Sequence, residues 1–336
     1  MGVTTAAALG LSSEDIGMVL EAGAQAPSLH NSQPWRFRVL PEAIELHADL
    51  TRRLPSTDPD DRELRLACGA ALLNIRLALH SKGVRPLVSL HPAAASGPLA
   101  VVTHGGTARM TEDIAALLRA VWQRHTNRRP FLDAPVPIAH RHMLVRAAQT
   151  ERTWLQMITD RDQRARLQRM VALAHREQLD DPAYRVELVT WTSVDDGRND
   201  GVPPRSAGPA PESQDEWTLR DFTSGQGTPR RPGKDFESEP LIAVLSSHFE
   251  GELAQLQAGQ AMQRVLLTAT ALGLAASFLS QVIEVPTTRG ELRRMIGGGV
   301  HPQTVLRIGF GSPVPAAPRR PVAELLLPTS SPSNCH

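Results

Sequence analysis

The chain has 336 residues, enough for two ordinary domains, or one large one, with a sizeable core. Its 41% hydrophobic and 21% charged content excludes a disordered chain, and a net charge of +1 argues against a dedicated nucleic-acid or membrane surface. Of 36 basic residues only Lys82 and Lys234 are lysines, so a bound phosphate would meet arginine, which binds it as a bidentate fork.

The cysteines, Cys68 in an apolar helix pattern and Cys335 in the tail, make neither a disulfide framework nor a metal set. Met1 to Leu11 has no basic start of the signal-peptide kind, and no apolar run is long enough to span a bilayer. A cytoplasmic location is the expectation.

In chain order, Ser12-Ser13-Glu14-Asp15 predicts a helix start, with Ser12 as cap and Asp15 at the capping-box position. Ile16, Val19, Leu20 and Gly23 continue at helical spacing until Pro27 stops the helix. The segment from Ala26 to Trp35 follows, with Pro27 and Pro34 forcing an ordered, non-helical loop. Ser28, Asn31 and Gln33 present donors and acceptors from that constrained backbone, which suits the polar edge of a flat heteroaromatic ring. The same composition also serves an ordinary turn.

Trp35 to Val39 alternates as a strand, with Ala43 to Ala48 as its partner. Leu66 to Ser81 reads as a helix ended by Gly83, and Leu99 to Thr103 as a strand. Thr111 caps a helix running to about His125. Beyond Pro313 the tail is Pro-rich and extended, apart from a short apolar run, Val322 to Leu327, that can dock.

The pattern then repeats. Met18-Val19-Leu20-Glu21-Ala22-Gly23 is echoed by Met143-Leu144-Val145-Arg146-Ala147-Ala148, 125 positions on, and the Trp35 strand by Trp154-Leu155-Gln156-Met157-Ile158, 119 positions on. The helix from Gly69 is echoed from Gly259, 190 positions on. Three echoes in one order point to a duplicated α+β unit. The drop from 125 to 119 removes about six residues where a second copy of the Ser28–Gln33 loop belongs. The rise to 190 marks an insertion of roughly 70 residues, with a helix pattern from Gln163 to Gln178 and a Gly/Pro/Ser/Asp-rich stretch from Asp195 to Lys234. A loop of that length inside a domain is a lid or is disordered.

Three clusters can carry chemistry. The loop at Ser28, Asn31 and Gln33 is the first, and it resembles the "APSxxNxQPW" loop of the FMN-dependent nitroreductase family. The second is Arg124-His125-Thr126-Asn127-Arg128-Arg129-Pro130-Phe131, similar to that family's Arg-Arg-Ser-x-Arg-x-Phe start. A phosphate dianion favours several guanidinium donors, although a basic helix end would look alike. The third is Thr304 to Gly311 with Pro318-Arg319-Arg320-Pro321, resembling the family's closing pattern, in which Arg319 or Arg320 matches a phosphate contact. Ser280 and Gln281 match a segment near the flavin N5 edge, or form an ordinary helix-to-strand loop. Gly309-x-Gly311 lacks the third glycine and helix of a dinucleotide fingerprint. His140 and His142 fall on different helix faces and make a poor metal pair, while His30, His47, His80 and His91 read as structural or exposed.

The resemblance, strongest to the Acg-type branch, implies an α+β nitroreductase-like fold. Two tandem α+β sandwich units would form an intramolecular pseudo-dimer. Residues 1–120 would be the first half and 121–336 the second, with a lid-like insertion at about 195–235. It implies one FMN site per chain, built from Ser28, Asn31, Gln33, Arg124, Thr126, Arg128, Ser280, Gln281 and Arg319 or Arg320. No metal is implied. With NAD(P)H as donor, a nitroaromatic, quinone or similar small molecule would accept electrons at the flavin, so no side chain need be catalytic. A lid that closes the site would instead make a flavin-sequestering protein. Fusion of both units leads to the expectation of a monomer.

Overall fold

The computed structural model describes residues 5–91, 97–192, 197–212, 214–217, 220–223 and 240–329. Helix α1 (Ser13–Ala24) is capped by the Ser12 side chain, which accepts from the Asp15 amide, and it buries Ile16, Val19 and Leu20. Strands β1 (Trp35–Leu40) and β2 (Ala43–Ala48) form an antiparallel hairpin with Trp35 opposite Ala48. Helix α2 (Arg62–Ser81) begins four residues earlier than its apolar pattern implies and ends before Gly83, whose φ of +77° favours glycine. Strands β3 (Val84–Leu90) and β4 (Ala100–Thr107) complete a four-stranded sheet of order β1-β2-β4-β3.

Helices α3 (Glu112–Gln123) and α4 (Ile138–Thr150) lead into β5 (Trp154–Met157). Next come α5 (Arg161–Asp180), α6 (Pro182–Thr192) and the short α7 (Pro204–Ala207). The sheet resumes with β6 (Leu241–Ser247), then α8 (Glu252–Ala271), β7 (Ala275–Phe278), α9 (Gln281–Glu284), α10 (Pro286–Met295), β8 (His301–Gly309) and α11 (Val322–Leu325). Its order is β5-β6-β8-β7, the same permutation as in the first sheet. The fold is α+β, with two tandem units of like topology.

The two sheets are treated differently on their outer faces. In the first, β3 alternates between exposed and partly buried after a buried Val84. In the second, β6 is buried at every position. Ala243 and Leu245 face the main core, while Ile242 and Val244 face a second cluster with Leu167, Met170 and Val171 of α5. That cover comes from the insertion. Where residues 41–42 turn the first hairpin, the equivalent connection runs from Met157 to Leu241 and includes α5, α6 and α7. Residues 193–196, 213, 218–219 and 224–239 of the expected lid lie outside the described residues, as does Cys335.

The tail docks as its apolar run implies. Leu325 is fully buried, Leu326 bridges Phe37 in parallel, and the Leu327 amide donates to the Phe37 carbonyl at 2.7 Å. This clamp fixes the neighbouring Arg319 and Arg320.

Candidate functional site

The loop after α1 is built from unusual backbone. His30, Asn31 and Gln33 have φ of +51°, +54° and +52°, a region that L side chains occupy at a cost of about 1–3 kcal/mol each. The surroundings hold them there. The Ser28 hydroxyl accepts from the Gln33 amide at 2.9 Å. Asn31 Nδ2 donates to the carbonyls of Gly201 and Pro318, both at 3.0 Å, and its Oδ1 accepts from Arg319 at 3.0 Å. Gln33 donates to the Asn199 carbonyl at 2.8 Å and accepts from the Arg320 amide at 2.8 Å. One loop thus ties the first unit to the insertion and to the tail.

Two cavities adjoin this loop and share Pro27, Ser28, Thr126 and Arg128. The smaller, about 410 Å³, is lined by Arg124, Arg128, Arg319 and Asn31 with Val202 and Ser206 of the insertion. Among the described residues no carboxylate lines it. Burial pushes the Arg124 guanidinium down to about 9, with Arg319 and Arg128 adding repulsion. Burial likewise lowers Arg128 to about 10, with Arg220 adding to it, and Arg319 to about 10. The Nε atoms of Arg124 and Arg319 are buried with no hydrogen-bond partner. A cluster of enclosed guanidiniums with unfilled donors is an anion site by its own chemistry.

The larger cavity has an empty volume, open solvent included, of about 820 Å³. Leu66 and Ala67 of α2, Met262 of α8 and Phe278 of β7 give it apolar walls. Ser280 and Gln281, at the start of α9, give it a polar edge and are both buried. Trp217, Arg220 and Phe222 of the insertion also line it. Arg220 is locked in place: it pairs with Glu284 at 2.5 Å, donates to Gln178 at 3.0 Å and to the Ser280 hydroxyl at 3.2 Å. Burial, the largest single influence, would lower Arg220, but Glu284, Tyr184 and Glu63 together raise it. Phe222 lies under the Arg128 guanidinium at 4.6 Å and edge-on to His30 at 6.2 Å.

The structure brings eight of the sequence-derived candidates to these cavities: Ser28, Asn31, Arg124, Thr126, Arg128, Ser280, Gln281 and Arg319. Gln33 and Arg320 line neither. Arg320 turns away toward Asp49, at 3.3 Å, and Glu324, at 3.5 Å. Thr126 and its neighbours are positioned by the edge of the second sheet, where Thr126 bridges Ala276 in parallel and the Asn127 amide donates to the Ala276 carbonyl.

Several wall residues are not among the sequence-derived candidates. His30, read as structural or exposed, is buried in the larger cavity with both ring nitrogens free of hydrogen bonds. Burial, then Arg220 and Arg128, hold its pKa well below the usual imidazole range, so it is neutral. Arg307 donates to the carbonyls of Asn127 and Arg129 and stacks on Phe131 at 4.1 Å. Glu63 precedes the helix that the apolar pattern predicts from Leu66; it lies in the first turn of α2 and lines the cavity. Among the described residues no His, Cys, Asp and Glu group could hold a metal ion, and no helix is long and apolar enough to cross a membrane.

No family model matches the chain. A protein provisionally named NAD(P)H nitroreductase, Rv3131 of Mycobacterium tuberculosis, is 34% identical over 328 residues, covering 93% of this chain and 91% of that one. A second, provisionally named NAD(P)H nitroreductase acg from the same organism, is 31% identical over 316 residues, covering 92% and 94%. Among solved structures, NfrA2 of B. megaterium aligns with a TM-score of 0.40 at 13% identity, over 65% of this chain and 76% of that one. With such identity sustained over nearly the whole length of Rv3131 and Acg, the chain belongs to the nitroreductase family.

Proposed function

We propose that the joined cavities hold FMN and that the chain is an NAD(P)H-dependent oxidoreductase of nitroreductase type. The junction itself carries this reading. A chamber rich in arginine opens, across Pro27, Ser28, Thr126 and Arg128, into a larger chamber with apolar walls and a polar edge. Such a pair of spaces suits a phosphate joined to a flat ring.

Arg124, Arg128 and Arg319 would hold the phosphate, with Asn31 aiming Arg319. Ser28, Thr126, His30, Ser280 and Gln281 would meet the ring edges. Gln33 and Arg320 would brace the loop against the tail. When bound, FMN supplies two-electron transfer from NAD(P)H to a small acceptor such as a nitroaromatic or a quinone. The chain's own part is to place the ring, exclude water with Trp217 and Phe222, and offer cationic donors to charge on the ring. The connection between α4 and β5, from Thr150 to Trp154, is too short for a second such loop, so one site per chain is proposed, in a monomer.

The test is a titration with FMN followed by NADPH or NADH without oxygen. Saturation at one flavin per chain, then rapid bleaching, is the expected result. A second reading, a protein that sequesters FMN, is favoured by the buried Arg220–Glu284 pair that holds the insertion over the cavity. Bleaching by dithionite but by neither pyridine nucleotide would select it.

A further inference from the structure

Glu63 stands in the wall between two spaces. It lines the larger cavity, and it also lines a separate hollow of about 220 Å³ with Asp58, Asp60 and Glu284. Its Oε1 is buried with no hydrogen-bond partner. A carboxylate so placed would share its charge with a buried oxygen that no donor reaches, and protonation removes that charge. Arg62 and Arg289 line the same hollow, and its Asp60 carboxylate, 3.9 Å from Arg289, is 65% exposed, so the hollow that Glu63 lines also holds an acid open to solvent.

We propose that Glu63 is the general acid of the cavity, giving a proton to the oxygen of an acceptor reduced there, and that it is recharged from solvent through Asp58 and Asp60. The proposal rests on the flavin reading above. The balance is simple for a quinone. A reduced cofactor bound there would supply the hydride, with its electron pair, to one quinone oxygen and would be left oxidised. The Glu63 O–H bond breaks as an O–H bond forms on the other quinone oxygen, and a hydroquinone leaves. The Glu63 carboxylate then takes a proton from the outer hollow.

The surroundings keep this acid protonated. Burial is the largest influence raising Glu63, followed by Asp58 of the preceding loop and Glu284 of α9; Arg62 of α2 and Arg220 of the insertion oppose them. Its pKa stands well above the usual carboxylate range, the direction that favours the protonated form a general acid needs. Asp58 is raised to about 6, chiefly by burial, so it can pass a proton in either direction near neutrality.

The test has two arms on the full-length protein. Infrared spectroscopy near neutral pH, without any acceptor, should show a protonated carboxyl band that Glu63→Gln removes. For the second arm, the FMN-loaded protein is reduced with dithionite and then mixed with a benzoquinone over a range of pH. Glu63→Gln should hold FMN as wild type does, yet reoxidise roughly 10²–10⁴-fold more slowly. It should also lose the limb along which the wild-type rate falls as pH rises. An unchanged rate in Glu63→Gln, an absent infrared band, or a wild-type reduced form that quinone does not reoxidise would each overturn the general acid while leaving FMN binding intact. If wild type binds no FMN, the flavin reading falls and this proposal with it.

Discussion

Gly69 of α2 and Gly259 of α8 meet reciprocally at the centre of the molecule. A Cβ on Gly69 would lie 2.2 Å from the Leu256 carbonyl oxygen, and a Cβ on Gly259 would lie 2.2 Å from the Leu66 carbonyl oxygen. Leu66 and Leu256 stand three residues before their glycines, so each helix presents the same feature to the other. This is the self-complementary contact of a two-fold interface, here within one chain. It recurs at the 190-residue spacing that links the two helices in the sequence.

Alanine at either glycine must therefore push the helices apart, because the obstacle is backbone and cannot rotate away. Helix propensity favours the change by about 1 kcal/mol, while overpacking at a closed contact costs about 1–3 kcal/mol or more. Gly69→Ala and Gly259→Ala should each lower the urea midpoint, and the double variant should cost less than the sum of the singles, since one separation relieves both clashes. Strict additivity in the double-variant cycle would show that the contact is not shared.

Much of this frame is legible in the sequence because it rests on local periodicity. Helix α1, the β1–β2 hairpin, α5 and the docked tail follow from capping, alternation and apolar spacing. Strand β3 is not legible: Pro86 interrupts it, which only an edge strand tolerates, and β3 is an edge. The phosphate-like chamber is half legible, since Arg124, Arg128 and Arg319 sit in recognisable segments. The sequence leaves Arg319 and Arg320 equivalent; in the structure Arg319 lines the chamber and bonds Asn31, while Arg320 pairs with Asp49 and Glu324. Glu63, His30 and Arg220 carry no signal at all. Their role comes from burial and from partners far away in the chain, as with Arg220 and Glu284.

The division of labour between the adjacent arginines can be measured. Arg319 lines the anion chamber, and removing it should delete a charge-assisted contact to the phosphate. Such a contact contributes about 1.5–3 kcal/mol, so Arg319→Ala should weaken FMN by roughly 10- to 150-fold. Arg320 faces Asp49 and Glu324, so Arg320→Ala should act chiefly on thermal stability, by loosening the tail. Equal losses of FMN affinity in both variants, read by flavin fluorescence titration, would contradict this assignment.

The insertion should open through a single buried pair. Arg220 and Glu284 are nearly inaccessible, and Glu284→Gln would leave the guanidinium enclosed without its counter-charge. Breaking one side of such a pair costs about 3–5 kcal/mol. Because the strand and helix core does not depend on it, the cost should appear as local opening of residues 214–217 and 220–223. Amide hydrogen exchange should rise there in Glu284→Gln and stay unchanged in α2 and α8. FMN should also dissociate faster. If exchange rises uniformly across the chain, the pair supports the whole fold and does not act as a latch.

Stability should carry a pH signature from the acids beside the cavity. Asp58 is raised from its ordinary value to about 6, chiefly by burial, so the folded chain binds a proton there more tightly than the unfolded chain. Its contribution is fully present below about pH 4 and is lost as pH rises through about 6. A tenfold difference in proton affinity is worth about 1.4 kcal/mol, so the loss is on the order of 3 kcal/mol. Glu63 acts in the same direction. His30 acts in the opposite one: its folded pKa is depressed, so its contribution is present above about 6.5 and is lost as pH falls. Comparing wild type with Asp58→Asn in urea at each pH cancels the His30 arm. The difference in stability, wild type minus variant, should fall between about pH 4 and pH 6 and stay level above about pH 7. A difference that does not change across that window would mean that Asp58 titrates alike in the folded and unfolded chains.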